Sequence, residues 1–228
     1  MLQIEKNCKD YIKFERIGIG SYANIYKAQN KETKSYVAIK EIDKKRYNQL
    51  TKIIFNETDI MNIIKSENSI KFKSKIDTKD YYYIIMDLCI TNLEDYIKNR
   101  ENPIRINEIK EVLIQLNNVF KIMNDKKIIH RDLKPSNILI SLDRLDKCII
   151  KLSDYGSSKF INLSNNVTIN GTPLTMSPEI LKGENYTFKS DIWSLGIIIY
   201  FMLNKEYPYN GKNEILLYDD IMSNKKIK

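Results

Sequence analysis

The eight-residue run at positions 130–137 places a carboxylate, two cations and an amide on one short segment. Its order, His-Arg-Asp-Leu-Lys-Pro-Ser-Asn, offers Asp132 as a candidate base, Lys134 as a cation for phosphate and Asn137 as an amide ligand for magnesium. Phosphoryl transfer needs these groups together, because a hydroxyl must be oriented while cations neutralise the charge that develops on the phosphate. The run therefore predicts a site for phosphoryl transfer.

The composition favours an ordinary globular domain. The chain has 228 residues, of which 43% are hydrophobic, so it can bury a substantial core and we expect one domain with at most two lobes. Its formal net charge is +8, but the lysines are spread along the sequence with acidic residues between them. This pattern favours a solvated surface over a dedicated site for nucleic acid.

Cysteines and apolar segments indicate the compartment. Cys8, Cys89 and Cys148 are odd in number and lack the spacing of metal ligands, which predicts reduced thiols in the cytoplasm or the nucleus. The first ten residues contain no uninterrupted apolar stretch, so we do not expect a secretion signal. The longest apolar run, residues 192–203, is too short to cross a bilayer and predicts a buried helix.

Hydrophobic patterns predict strands early in the chain, followed by helices and further strands. Residues 11–42 are typical of strands separated by turns, which predicts an antiparallel sheet. Residues 50–65 and 104–124 show helical periodicity. Two further strands are predicted at residues 81–89 and 149–153.

The run at positions 130–137 resembles the catalytic loop of eukaryotic protein kinases. Segments similar to the other motifs of that family occur in the family's order between Ile17 and Pro208. The resemblance implies an α+β, bilobal fold, in which a small antiparallel-sheet N-lobe with one main helix precedes a mostly helical C-lobe. It places an N-terminal extension at residues 1–10, the N-lobe at 11–88 and a partial C-lobe at 89–228.

The resemblance implies that the N-lobe binds ATP. Gly18 and Gly20 would let backbone amides approach phosphate, although Ala23 stands in place of the family's third glycine and a plain hairpin turn explains the glycines about as well. Lys40 would contact the phosphates, and Glu57 from the following helix would hold the lysine in place.

The strand that ends near residue 89 resembles the kinase hinge, where adenine binds. Met86 would guard the back of the pocket, while Asp87 and Cys89 would contact the adenine edge through their backbone groups. The full set of predicted nucleotide-binding residues is Ile17, Gly18, Gly20, Ser21, Ile25, Ala38, Lys40, Glu57, Met86, Asp87, Cys89 and Leu139.

The resemblance also divides the catalytic and metal-binding roles. Asp132 would orient the substrate hydroxyl, Lys134 would neutralise the transferred phosphoryl group, and Asn137 would complete the catalytic set. Asn137 and Asp154 would bind Mg²⁺, because carboxylate and amide oxygens are ligands that this hard cation accepts.

Three residues are expected to support the site from below. Tyr155 replaces the phenylalanine of the family's Asp-Phe-Gly motif, and its hydroxyl needs a partner or water when the ring is packed. His130, the only histidine, is expected to pack beneath the site rather than act as an acid or base. Asp191 would bind backbone amides of the catalytic loop.

The polar segment after residue 156 is typical of an activation segment. Thr168 falls where the family's activating phosphate usually lies, and Arg131 and Lys159 are suitable cations for it. An upstream kinase or autophosphorylation would supply that phosphate. Thr172, together with Lys134, favours Ser/Thr over Tyr acceptors, so the implied partner is a protein substrate.

The chain also departs from the family pattern toward its end. No arginine follows Glu179 to pair with it, and the sequence stops at Lys228, before the family's final helices. We therefore expect either that Glu179 is exposed or that the chain is incomplete. The alternatives are a pseudokinase that binds nucleotide or a partner without catalysis, and a small-molecule kinase of related fold. Local spacing is similar to that of the autophagy-initiating and NimA-related branches.

Overall fold

A computed structural model of the chain describes residues 10–20, 23–45, 51–160, 172–210 and 213–223, with the backbone alone at residues 51–55 and 214. The sheet-rich first part contains β1 (Tyr11–Ile19), β2 (Asn24–Asn30), β3 (Tyr36–Asp43), α1 (Thr51–Ile63), β4 (Phe72–Asp77) and β5 (Tyr81–Asp87). The second part contains β6 (Thr91–Asn92), α2 (Leu93–Lys98), α3 (Ile106–Asp125), β7 (Ile128–Ile129), β8 (Ile138–Leu142), β9 (Cys148–Leu152), β10 (Lys159–Phe160), α4 (Pro178–Leu181), α5 (Phe188–Asn204) and α6 (Glu214–Met222).

The first part is built on one five-stranded sheet with the order β1-β2-β3-β5-β4. Every neighbouring pair in it is antiparallel, as the sequence predicts for the strands of residues 11–42, and the structure adds β5 and β4 to the same sheet. Both faces of the central strand β3 are covered: Val37 and Ile39 pack in a small cluster on one face, whereas Ala38 belongs to the main core. Alternate side chains of a strand point to opposite faces, so this division follows from the backbone geometry.

Helix α1 packs one face on the main core. Glu57, Ile60 and Ile64 lie on the buried side, at the three- to four-residue spacing of one helix face, while Asn62 is exposed. The sequence predicted a helix over residues 50–65, and the structure has it at Thr51–Ile63. This face brings the carboxylate of Glu57 to the inner side of the sheet.

Two long helices form the frame of the second part. The buried residues of α3 recur every three or four positions, as helical packing requires, and they are Ile109, Val112, Leu116, Val119, Phe120 and Met123. The predicted buried helix at residues 192–203 is part of α5, and it is buried on one side only. Ile198 and Phe201 are buried, whereas Ile192 and Leu203 are 48% and 47% exposed. An apolar composition does not reveal which face of a helix has a packing partner.

Short strands position the loops that carry the candidate site. β8 begins directly after the loop at residues 130–137, and β9 ends two residues before Asp154. β8 and β9 are paired, and β7 pairs with β10, so both loops are fixed at their ends. The whole is the predicted α+β, bilobal architecture. Within the described ranges no helix is both long enough and apolar enough to span a membrane.

Candidate active site

The loop at residues 130–137 is anchored by a buried carboxylate. Asp191, near the start of α5, is 2% exposed and accepts hydrogen bonds from the backbone N–H groups of His130 and Arg131, at 2.8 and 3.0 Å. Burial raises the pKa of Asp191, although these two donors oppose the shift. Arg131 has a left-handed backbone with φ of 72°, so the two anchoring bonds hold a strained turn.

Both oxygens of the Asp132 carboxylate have partners. Oδ1 accepts a 3.0 Å hydrogen bond from the hydroxyl of Thr172, and Oδ2 lies 3.0 Å from Lys134 Nζ. The side-chain amide of Asn137 donates to the backbone carbonyl of Asp132 at 2.8 Å and to Oδ2 at 3.3 Å. The three predicted catalytic residues are therefore together, and Thr172 contacts one of them directly.

Lys40 joins the two parts of the molecule. Its Nζ atom lies 2.7 and 2.9 Å from the two carboxylate oxygens of Glu57, and 3.1 Å from Oδ1 of Asp154. Burial alone would lower the pKa of Lys40, but the adjacent carboxylates outweigh burial and the pKa lies above its ordinary value. The charge of Lys40 in turn lowers the pKa of Asp154. Lys40 and Asp154 are therefore ionised near neutral pH, whereas burial raises the pKa of Glu57 although the charge of Lys40 opposes the shift.

Asp154 and Asn137 fit the donor set that Mg²⁺ requires. The side chain of Asp154 is 43% exposed and ionised, and Asn137 uses its amide nitrogen toward Asp132, which leaves its amide oxygen as the atom for a cation. Across the described residues, no three or more His, Cys, Asp or Glu side chains are grouped as a metal site. Such a cation would depend on these two oxygens together with phosphate and water.

The glycine-rich turn joins β1 to β2. Gly18 pairs with Ile25 across the two strands, and the N–H of Gly20 donates to the carbonyl of Ala23 at 2.8 Å, so the segment is a hairpin as well as a candidate phosphate loop. Neither glycine has a positive φ, so backbone conformation alone does not require them. Ser21, between these residues, lies outside the described part of the chain.

The predicted adenine pocket has an apolar lining. Ala38 of β3 lies opposite Met86 of β5 in the sheet, and both belong to the main core. Ile25, Cys89 and Leu139 pack against that core while remaining partly accessible. Of the predicted apolar contacts, Ile17 lies outside the cluster and is 46% exposed.

Burial also affects the thiol at the hinge. It raises the pKa of Cys89 to about 11, although Lys151 opposes the shift, so the thiol is protonated near neutral pH. Cys89 is therefore a weakly polar part of the pocket wall rather than a nucleophile.

Sequence reasoning missed an ionic network behind the hinge. The side chain of Asp87, expected to matter through its backbone alone, lies 3.3 Å from both Lys73 Nζ and Lys151 Nζ. Lys151 is 8% exposed and also donates to the carbonyl of Glu67 at 3.2 Å. The sequence did contain a signal for this network, because Lys151 is a single lysine within the apolar run at residues 149–153 and a buried ammonium group needs hydrogen-bond acceptors.

The cations predicted for an activating phosphate lie near each other. Lys159 is in β10, paired with Ile129 of β7, and its pKa is lowered by burial and by the charge of Arg131. The guanidinium of Arg131 lies over the ring of Tyr186, 4.3 Å from the ring centre. Thr168, the predicted phosphorylation site, lies outside the described residues, so its role stays a prediction.

Glu179 has polar partners despite the missing arginine. It is half-buried, and the hydroxyl of Ser190 donates to it at 2.9 Å. Burial would raise the pKa of Glu179, but hydrogen bonding, including that from the hydroxyl of Ser190, outweighs burial and lowers the pKa. Of the two alternatives expected for Glu179, simple exposure is therefore wrong, because a hydroxyl donor occupies the place of the ion pair.

The fold and these contacts define a protein kinase. The protein kinase domain family matches residues 11–228, and the chain belongs to that family.

Several protein kinases are similar to the chain over nearly all of its length. Calcium-dependent protein kinase 5 of Plasmodium berghei is 39% identical over 93% of the chain and 36% of its own length. Serine/threonine-protein kinase atg1 of Dictyostelium discoideum is 36% identical over 98% of the chain and 34% of its own length. Serine/threonine-protein kinase ULK3 of Xenopus laevis is 33% identical over 96% of the chain and 47% of its own length.

The chain therefore spans less than half the length of these relatives. Relatives with different names match it at similar identity, so the predicted likeness to particular kinase branches stays a prediction.

Proposed function

We propose that this domain transfers the γ-phosphate of Mg-ATP to serine or threonine hydroxyls of protein substrates. One observation carries the proposal: Lys40 contacts Glu57 and Asp154 at the same time, at 2.7 and 3.1 Å. These contacts join the two parts of the molecule in the arrangement that phosphoryl transfer by a kinase requires. The fixed carboxylate of Asp132 supplies the acceptor side of the same site.

Each of these residues has a task that its contacts suit. Asp132 orients the acceptor hydroxyl and takes its proton, Lys134 neutralises charge on the phosphoryl group, and Lys40 holds the nucleotide phosphates. Asn137 and Asp154 hold Mg²⁺. When bound, Mg-ATP supplies the transferable phosphate and the counter-charge for the leaving group. The protein supplies position and fixed charge, which account for most of the catalysis in phosphoryl transfer.

A serine or threonine acceptor is supported by two residues and by the relatives. Thr172 donates to Asp132 Oδ1, and Lys134 contacts Oδ2 of the same carboxylate, so both residues border the position of the acceptor hydroxyl. Two of the three relatives described above are named serine/threonine-protein kinases. The alternative of a nucleotide-binding module without catalysis is favoured only by Ala23 and Tyr155, where the family has glycine and phenylalanine.

Transfer of labelled γ-phosphate to a generic basic protein tests the proposal. We expect Mg²⁺-dependent transfer that falls at least about 100-fold in Asp132→Asn, the size of effect typical for losing a general base. Asp146→Asn is the matched control, because Asp146 is an exposed carboxylate in the turn between β8 and β9. Nucleotide binding without transfer by a folded sample would instead establish the non-catalytic alternative.

Regulation at Thr168 is part of the same proposal. Thr168 falls in the segment that resembles an activation segment, and Arg131 and Lys159, which lie near each other, would offer a phosphate there charge-assisted hydrogen bonds. We expect Thr168→Ala to lower transfer in a phosphorylated preparation and to leave a dephosphorylated one unchanged. Undiminished activity of the phosphorylated Thr168→Ala sample would contradict this.

A cytoplasmic or nuclear location is proposed from the three cysteines, which show no metal-ligand spacing. Cys89 and Cys148 are free thiols in the described part of the chain. Imaging of a tagged chain in the cell of origin tests the location, and accumulation in a secretory compartment would contradict it.

A further inference from the structure

The hydroxyl of Tyr155 has a dedicated partner in the core. Its oxygen lies 2.7 Å from the hydroxyl oxygen of Ser69, and both residues are 0% exposed. The alternatives for each group are longer: the Tyr155 hydroxyl is 3.4 Å from the carbonyl of Leu152, and the Ser69 hydroxyl is 3.5 Å from that of Ile70. The bond between the two hydroxyls is therefore the main hydrogen bond that either group makes.

Ser69 is itself fixed to the strand that leads into the active site. It lies in the connection between α1 and β4 and bridges Leu152, the last residue of β9. Two backbone bonds flank it: the N–H of Ile70 donates to the carbonyl of Leu152, and the N–H of Leu152 donates to the carbonyl of Asn68, both at 2.9 Å. Because these bonds fix the backbone around Ser69, its hydroxyl can hold the ring of Tyr155 in place.

The tyrosine ring packs on the catalytic loop and directly follows a left-handed turn at Asp154. Tyr155 packs against His130 of the catalytic loop, with ring centres 5.4 Å apart, and the preceding Asp154 has a left-handed backbone with φ of 63°. A non-glycine residue stays in that conformation only where its surroundings hold it. Removing the ring from its pocket would release this turn, and with it the 3.1 Å contact between Asp154 and Lys40.

We infer that Ser69 is a positioning residue, whose hydroxyl bond to Tyr155 holds Asp154 toward the nucleotide site. A phenylalanine ring would fill the same pocket with no polar group to satisfy. The tyrosine instead leaves the pocket only when a buried bond breaks, so the pair favours the arrangement in which Asp154 contacts Lys40. Only the catalytic consequence of this inference depends on the proposed function.

Hydrogen exchange in the ligand-free protein tests the pair independently of catalysis. The variants are Tyr155→Phe, Ser69→Ala and the double variant, and the segment followed is residues 152–160. Each single variant leaves one buried hydroxyl without its partner, so we expect exchange in this segment to rise about tenfold. The double variant leaves no hydroxyl unpaired but also lacks the bond, so its exchange should fall below that of the single variants while staying about threefold above that of the original protein.

Two internal references separate local positioning from general stability. Exchange across α5 reports global unfolding, and we expect it to change much less than exchange in residues 152–160. Ser194→Ala is the matched control, because Ser194 is also a buried serine whose hydroxyl donates to a carbonyl, that of Thr175 at 2.7 Å. It should leave residues 152–160 unchanged. Unchanged exchange there in both single variants, or an equal rise across α5, would overturn the inference.

Calorimetric binding of adenylyl imidodiphosphate, a non-hydrolysable ATP analogue, supplies a second measurement. Because Asp154 would act through Mg²⁺, affinity in the presence of Mg²⁺ should fall about tenfold in each single variant and recover only in part in the double variant, which still lacks the bond. Affinity without Mg²⁺ should not change. If the original protein shows no Mg²⁺-dependent binding, the proposed function fails while the exchange result still decides the role of Ser69. Equal losses with and without Mg²⁺ would count against positioning of Asp154.

Discussion

The side-chain amide of Asn56 on α1 donates a 2.6 Å hydrogen bond to the backbone carbonyl of Ser158. Ser158 is 0% exposed, and its hydroxyl donates to the carbonyl of His130 at 3.2 Å. One residue therefore connects the helix that carries Glu57, the turn that follows Asp154 and the catalytic loop. The bond from Asn56 therefore fixes the position of α1 relative to the candidate active site.

Replacement of Asn56 by leucine tests this connection. Asn56→Leu keeps a side chain of similar size but leaves the buried carbonyl of Ser158 without this donor, which costs about 1–3 kcal/mol. We expect phosphoryl transfer to fall about tenfold as α1 loses its position relative to Asp154. Initial rates at saturating and limiting ATP, together with urea unfolding, measure both effects.

Asn62→Leu is the matched control for that experiment. Asn62 is an exposed asparagine on the same helix, so its replacement should change stability by no more than about 0.5 kcal/mol. If both variants lose activity equally, the effect comes from the helix surface and not from the contact with Ser158.

Replacement of Thr172 tests how Asp132 is oriented toward the acceptor hydroxyl. Its hydroxyl donates to Asp132 Oδ1 at 3.0 Å, and Thr172→Val removes that donor at nearly constant volume. Hydrogen bonds to charged groups contribute about 1.5–3 kcal/mol, so we expect the maximal rate to fall about 10- to 100-fold while the KM for ATP changes little. Thr172→Ser keeps the hydroxyl and should retain most of the rate. A serine variant as poor as the valine variant would show that the methyl group, not the bond, matters.

Motifs that follow one another in the chain were largely predictable. The loop at residues 130–137, Lys40 and Asp154 were recognised from local residue order, and the structure brings them together. Helix α1 was predicted within two residues of its ends, because its apolar residues recur at helical spacing. Such features depend on neighbours in sequence, which a single chain displays directly.

Contacts between distant segments were the ones that sequence reasoning missed. Ser69 and Tyr155 are separated by 86 positions, and nothing in the residues around Ser69 marks it as the partner of a ring so far along the chain. Glu179 was expected to lack a partner because only an arginine was considered, whereas the hydroxyl of Ser190 satisfies it. When a polar side chain finds its partner in a common residue far along the chain, nothing in the sequence around either residue indicates the contact.

Glu108 should make stability depend on pH in the acid range. It lies in the first turn of α3 and contacts Arg100 Nη1 at 2.8 Å and Arg105 Nε at 3.0 Å. Partial burial would raise its pKa, but these contacts outweigh burial and lower the pKa to about 2 from its ordinary 4.5. A carboxyl group whose pKa is lower in the folded than in the unfolded state stabilises the fold at pH values above its unfolded pKa. This contribution is lost as the pH falls from about 4.5 toward 2.

We therefore expect Glu108→Gln to lower the free energy of unfolding at pH 7 by up to about 1 kcal/mol, since the group is largely in contact with solvent. The difference from the original protein should shrink steadily between about pH 4.5 and pH 2. Urea titrations across that range measure it. Glu111→Gln, an exposed position on the same helix, is the control and should show no such convergence. A difference that is constant with pH would contradict the role of the arginine contacts.

The two lysines that contact Asp87 should differ in importance. Lys151 is buried and Lys73 is exposed, with 10% and 42% of their side chains accessible, although each Nζ lies 3.3 Å from the same carboxylate. Lys151→Met leaves Asp87 with one exposed partner at the end of β5, and we expect a loss of about 2 kcal/mol in unfolding free energy.

Because β5 leads into the hinge, the same Lys151→Met change should weaken nucleotide binding. Lys73→Met removes only a solvated ion pair and should cost less than about 1 kcal/mol. Urea unfolding and nucleotide titration of the two variants compare a buried and an exposed contact at one carboxylate. Equal losses in both would show that total charge near Asp87, rather than the buried position of Lys151, determines the stability of the hinge.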